Sequence, residues 1–201
     1  ALRDPRFRSS LWVTLLPATC FGIVEVLVPL RLDHLGAGAT ATAAAFFVAA
    51  LVEAAVSPLT GRWADRHGMR GILRTGLLGG ALLLVVVTLP QNALVLAVVL
   101  VVLGAALGML WTPGGNLISL AADRLGLDQG LAFGLNNIQW AGGIAIGSAM
   151  AGVLGETVGD WVPYALAAAL CLLTGVIWWS GGPAADATGG NGPTRSLPSS
   201  R

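Results

Sequence analysis

Long apolar runs separated by short polar punctuation dominate the chain. Mostly apolar stretches fall at about 10–30, 39–60, 71–90, 93–119, 129–155 and 161–180, each close to the roughly 20 residues a helix needs to cross a bilayer core. Pro90-Gln91-Asn92 punctuates the third and fourth runs, and Gly159-Asp160 the fifth and sixth, as turn-forming residues do. The pattern predicts an all-α membrane protein with six transmembrane helices over residues 10–180, preceded by a short segment, 1–9. From Gly181 to Arg201 the composition turns to Gly, Pro, Ser and Thr. Too few apolar residues remain there to pack, so 181–201 reads as a disordered tail. A chain that opens on Ala1 rather than Met is expected to be a segment of something longer.

Composition agrees with that class. Apolar residues make up 55% of the chain and charged ones 10%, against roughly 25% charged in soluble domains. A net charge of +1 gives no reason to expect a nucleic-acid partner; the position of each charge matters more. All eleven basic residues are arginine, which excludes a P-loop lysine and Schiff-base chemistry. With the N-terminus in the cytoplasm, the inner segments collect Arg3, Arg6, Arg8, Arg62, Arg66, Arg70, Arg74, Arg124, Arg195 and Arg201. Only Arg31 falls in an outer loop. This asymmetry predicts a multi-pass cell-membrane protein with both termini cytoplasmic. A secretory signal is the rival reading of residues 1–30, but the apolar run exceeds the roughly 7–15 residues of a signal h-region.

Glycines recur at spacings that let helices approach closely. Gly76 and Gly80, Gly104 and Gly108, Gly143 and Gly147, and Ser148 and Gly152 are small-xxx-small pairs, which predict a tightly packed bundle and nothing more specific.

Between the second and third runs lies Gly61-Arg62-Trp63-Ala64-Asp65-Arg66-His67-Gly68-Met69-Arg70. A loop that merely obeyed the charge asymmetry would need neither an acid nor glycines at fixed offsets. The segment resembles the signature loop of the major facilitator superfamily, G-x-x-x-D-R-x-G-x-R, and every specified position is present: Gly61, Asp65, Arg66, Gly68 and Arg70. Glycine permits a tight reversal with positive φ, and Asp65 can answer both nearby arginines and the positive end of a helix. The resemblance extends over about the first 180 residues and implies half of that family's fold, two inverted three-helix repeats. It implies that Asp65 latches the loop to a helix end of an opposite half, with Arg66 and Arg70 orienting the carboxylate. It also implies a second six-helix half as partner, either upstream in the same chain or as a second copy. Helix four lacks the buried arginine often seen in the fourth helix of the family's N-terminal half, and helix five lacks the Gly-Pro pair typical of its antiporters' fifth helices; the C-terminal half is the expectation.

Polar groups inside the crossings are costly and become candidates for function. Glu25 lies late in the first run and Glu53 in the second. Measured from the run edges, Glu25 is roughly 8 Å from the outer boundary and Glu53 roughly 10 Å from the inner one. That separates their levels by about 12 Å across a core of about 30 Å, so they are not expected to pair. Each is a candidate to carry a proton, because low-dielectric surroundings favour the neutral carboxyl; hydrogen bonding to a neighbouring helix is the structural alternative. On helix five, Asn136, Gln139, Trp140, Gly143 and Gly147 share a face. The first three are candidate substrate-facing groups, with interhelical hydrogen bonds as the alternative. Pro113 and Gly114 mark a candidate bend in helix four, and Pro17 and Pro29 flank Glu25.

Other chemistry is not signalled. Cys20 and Cys171 fall inside helices and are expected to pack as small apolar groups. His34 and His67 fall in loops on opposite sides, so no metal site, cofactor or catalytic dyad is expected. Trp178 and Trp179 suit interfacial anchors. The expected function is alternating-access transport of a small solute across the bilayer, coupled to protons and directed towards efflux, rather than enzyme catalysis. The alternative is a six-helix membrane scaffold or receptor that moves nothing.

Overall fold

The computed structural model describes residues 5–126 and 128–179. The expected tail, 181–201, and the first four residues of the expected N-terminal segment lie outside them. Six helices follow in chain order: α1 (Pro5–His34), α2 (Ala39–Val86), α3 (Ala93–Gly108), α4 (Trp111–Leu125), α5 (Gln129–Thr157) and α6 (Trp161–Trp179). They do not correspond one to one with the six apolar runs.

The second and third runs are two arms of α2. Helical backbone continues through the segment expected as a loop, and the departure is confined to Gly68, at φ 78° and ψ 157°. That combination is reached almost only by glycine. Both arms pack against α3: Gly104 of α3 faces Ala49, while Gly80 faces Leu107 and Gly76 faces Leu110 just beyond its end. The chain therefore doubles back at Gly68. The fourth run, expected as one helix, is divided between α3 and α4 at Met109 and Leu110. Pro113, four residues after Met109, has no N–H to offer that carbonyl. Gly114 resumes the ladder by donating to the Leu110 carbonyl at 3.2 Å. Pro17 and Pro29, by contrast, sit inside an uninterrupted α1.

Three segments are long and apolar enough to cross a membrane, Arg8–His34, Ala39–Ala64 and Gln129–Thr157; three shorter apolar helices are Gly71–Val86, Ala93–Gly108 and Trp161–Ile177. The exterior suits lipid: Phe47, Leu82, Leu94, Ile138 and Val176 are exposed. Ile23, Leu84, Leu96, Leu103 and Leu107 are fully buried between helices. A chain with this many apolar helices and so apolar a surface is a multi-pass membrane protein.

The closest seam joins α1 and α5, which run parallel. A Cβ on Gly147 would strike the carbonyl oxygen of Thr19, and one on Gly22 the carbonyl oxygen of Ile144. Gly143 meets Ala18 and the Leu15 carbonyl in the same way. Ser148 Oγ donates to the Gly22 carbonyl at 3.3 Å and Gln139 Nε2 to the Leu11 carbonyl at 2.9 Å. Lipid tails give apolar helices no reason to associate, so this contact of backbone on backbone supplies the dispersion that holds them. On the other flank of α1, Trp12 Nε1 donates to Thr174 Oγ1 at 3.0 Å, and the buried Cys20 and Cys171 thiols lie 3.9 Å apart. Arg31, which stands apart from the other arginines in the sequence, donates to the Pro90 carbonyl at 3.1 Å. It thereby ties the α2–α3 connection to the end of α1.

Candidate functional site

A cavity of about 140 Å³ opens between α1, the first arm of α2 and α3. Its walls are mainly apolar (Val24, Ala49, Ala50, Leu100, Leu103 and Leu107), and two carboxylates stand among them, Glu25 and Glu53. The sequence set these acids apart, and the structure puts both on one cavity. Helix ends explain the difference. α1 runs on to His34 and α2 starts at Ala39, so Glu25 lies nine residues from one end and Glu53 fourteen from the other. At about 1.5 Å per residue their levels differ by only about 7 Å.

Glycine makes the room. A Cβ on Gly108 would lie 2.6 Å from Glu53 Cγ, so the Glu53 stem crosses α3 where α3 has no side chain. Gly104, one turn earlier, admits Ala49 at ordinary contact distance. Among the described residues neither glutamate has a hydrogen bond or ion-pair partner, and no arginine or histidine lines the cavity. Glu25 is exposed on the bundle face and Glu53 half-buried. Among the described residues, the two carboxyl groups thus stand in apolar walls with no counter-charge beside them.

Aromatic rings continue the cavity sideways. Phe21 belongs to its wall and meets Trp140 of α5 with ring centroids 5.7 Å apart and planes inclined 55°. Trp140 in turn packs on Trp111, the first residue of α4, at 4.1 Å and 35°. Three helices thus contribute one row of rings that begins at the cavity. Phe46 adds a second ring to the cavity wall itself.

The α5 stripe divides between two surroundings. Asn136 is buried, and among the described residues its Oδ1 has no hydrogen-bond partner. Gln139 is engaged with the Leu11 carbonyl, and Gly143 and Gly147 lie in the seam with α1. Only Trp140 turns to the aromatic row beside the cavity. In the Gly61–Arg70 segment, Gly61 is half-buried in ordinary helical backbone, Arg66 is exposed and Gly68 makes the reversal. The side chains of Asp65 and Arg70 lie outside what the structure describes, as does that of Pro113. Gly114 is buried, with Thr14 Oγ1 3.0 Å from where its Cβ would stand.

Sequence reading missed Phe21, Phe46 and Trp111 as parts of the site, and took Gly108 only as a packing glycine. A signal was present for two of them. Phe21 precedes Glu25 by four residues and Phe46 precedes Glu53 by seven, spacings that share a helix face.

Comparison with protein families adds the decisive observation: a profile described as Major Facilitator Superfamily matches residues 11–197. The chain belongs to the major facilitator superfamily. Curated proteins give no match. Membership places the chain in a superfamily of membrane transporters rather than of enzymes, and among the described residues no three His, Cys, Asp or Glu side chains gather to hold a metal. The family's name attaches to the bundle as a whole; the cavity and its acids are features of this chain.

Proposed function

We propose that the chain is one six-helix half of a secondary transporter that carries a small solute by alternating access, exchanging it for protons in the direction of export. The observation that carries this reading is the cavity holding Glu25 and Glu53 without a resident counter-charge. A second half, upstream in the same chain or a second copy, closes the open side of that cavity. The absence of a buried arginine in helix four and of a Gly-Pro pair in helix five favours the C-terminal position for this half. Arginine asymmetry favours both termini in the cytoplasm.

The packing supports two inverted three-helix repeats. If the first three crossings map onto the last three, the parallel pair formed by the first and fifth crossings maps onto that formed by the fourth and second. Both pairs occur: α1 on α5, and α3 on the first arm of α2 through Gly104 with Ala49 and Gly108 with Glu53. Asp65, Arg66 and Arg70, around the reversal at Gly68, would then latch one access state to the opposing half. The break at Met109–Leu110, next to Pro113 and Gly114, would let the fourth crossing flex as access alternates.

Inverted vesicles from cells expressing the full protein test this. An acid-interior gradient, followed with a quenched acridine dye, is challenged with neutral sugars, organic acids and organic cations. At least one class should dissipate the gradient in the wild type, and Asp65→Asn should insert normally and fail to respond. Gradients untouched by every class would favour the scaffold or receptor reading.

A further inference from the structure

The chemistry of the cavity selects a substrate class. Its formal charge is negative, from Glu25 and Glu53, and no basic side chain lines it among the described residues. A small inorganic cation is poorly served here. Hard cations such as Ca²⁺ take about six to eight oxygen ligands, whereas these walls are Val24, Ala49, Ala50, Leu100, Leu103 and Leu107 around two carboxylates whose levels differ by about 7 Å. A neutral solute would leave both acids without a partner. An anion would be repelled. Phe21 and Phe46 stand in the same wall, and Trp140 and Trp111 extend the row behind Phe21. Ring faces attract a positive charge that carries little water of its own, as substituted ammonium and phosphonium ions do.

We infer that the Glu25–Glu53 cavity binds an apolar organic cation, its charge facing the two carboxylates and its hydrocarbon surface against Phe21 and Phe46, with the Trp140–Trp111 pair backing Phe21. This rests on the transport reading and sharpens it. The carboxylates hold either the cation or protons, so occupation by one expels the other. Exchange then follows from a single shared site, without a separate coupling device. With one half contributing about 140 Å³, the opposing half completes the enclosure.

Equilibrium binding of radiolabelled tetraphenylphosphonium to the purified full protein, with no gradient present, is the test. Binding should be saturable and displaced by ethidium, and untouched by triphenylphosphine oxide, which is similar in build but uncharged. Glu25→Gln and Glu53→Gln should each weaken it by about tenfold or more, the loss of one strong charge contact, and Phe21→Leu by a smaller factor. Displacement by the uncharged analogue as effective as by ethidium would overturn the inference in the wild type alone, whatever the variants do. Unchanged affinity in a folded Glu25→Gln/Glu53→Gln double variant would also overturn it. A protein that dissipates the gradient with other solutes but does not bind tetraphenylphosphonium refutes the cation assignment and leaves transport standing. Saturable binding without any flux upholds the site and refutes transport.

Discussion

Gly147→Ala is the sharpest perturbation of the bundle. The added methyl would fall on the Thr19 carbonyl oxygen, 2.9 Å from the Thr19 carbonyl carbon and 3.1 Å from the Ile23 nitrogen. All three are backbone atoms, so no rotamer relieves the contact; α5 must move off α1 by roughly 1–1.5 Å to restore van der Waals distance of about 3.5 Å. A gap of that size forfeits about half or more of the dispersion well for the neighbouring atoms along the seam. Overpacking of this kind costs about 2–3 kcal/mol, which for a domain of this size lowers the melting temperature by about 4–12 °C. The control is Gly142→Ala on the same helix, where nothing lies within 4 Å of the new methyl. Helix propensity there favours alanine by up to about 1 kcal/mol. Thermal unfolding of the purified variants in one detergent, followed by tryptophan fluorescence, separates the two. Equal melting temperatures for both variants would refute the seam as described.

Other substitutions probe separate links. Gly68→Ala forces a side chain into φ 78° and ψ 157° and should cost about 1–3 kcal/mol, read as a lower melting temperature than for Gly61→Ala, where the backbone is helical and the added methyl has open space. Asn92 accepts from Leu94 N at 2.8 Å and Val95 N at 3.4 Å to cap α3, so Asn92→Ala should lose about 1 kcal/mol in the same assay. Gly108→Ala pushes on the flexible Glu53 stem instead of on backbone. It should leave the melting temperature within about 1 °C of wild type, a shift equivalent to less than 0.5 kcal/mol, and weaken tetraphenylphosphonium binding severalfold.

Much of the architecture is legible in the sequence because lipid imposes a length. A crossing needs an apolar run whatever it packs against, so run length and punctuation locate α1, α5 and α6 without tertiary information. Partner choice is a different matter. Gly143 and Gly147 announce a close contact, but nothing local says that α1 receives it; that depends on Gly22 and Ala18 presenting an equally bare face. Gly152, in an equivalent small-xxx-small pair, has nothing within 4 Å. Spacing alone therefore overcounts contacts.

The candidate site was half legible for a related reason. Glu25 and Glu53 stand out as acids in apolar runs, yet their separation was measured from where the apolar residues end. Helix ends follow hydrogen bonding, and α1 continues through Arg31, Asp33 and His34. Residues around 61–67 likewise read as a loop by charge and glycine content, although Arg62, Trp63, Ala64 and Arg66 are tolerable in a helix and only Gly68 departs from it. Phe21 and Trp111 became visible only through Trp140, a contact between three helices that no spacing within one of them encodes.

The central claim is that the cavity opens in turn to the two sides of the membrane. Ala50 lines it and is exposed. In a background with Cys20→Ala and Cys171→Ala, Ala50→Cys can be labelled with a membrane-impermeant maleimide in right-side-out and inverted vesicles. The account predicts labelling from both sides, with Asp65→Asn shifting the balance towards one of them. Labelling confined to a single side under every condition, with or without tetraphenylphosphonium and across the proton gradient, would contradict it.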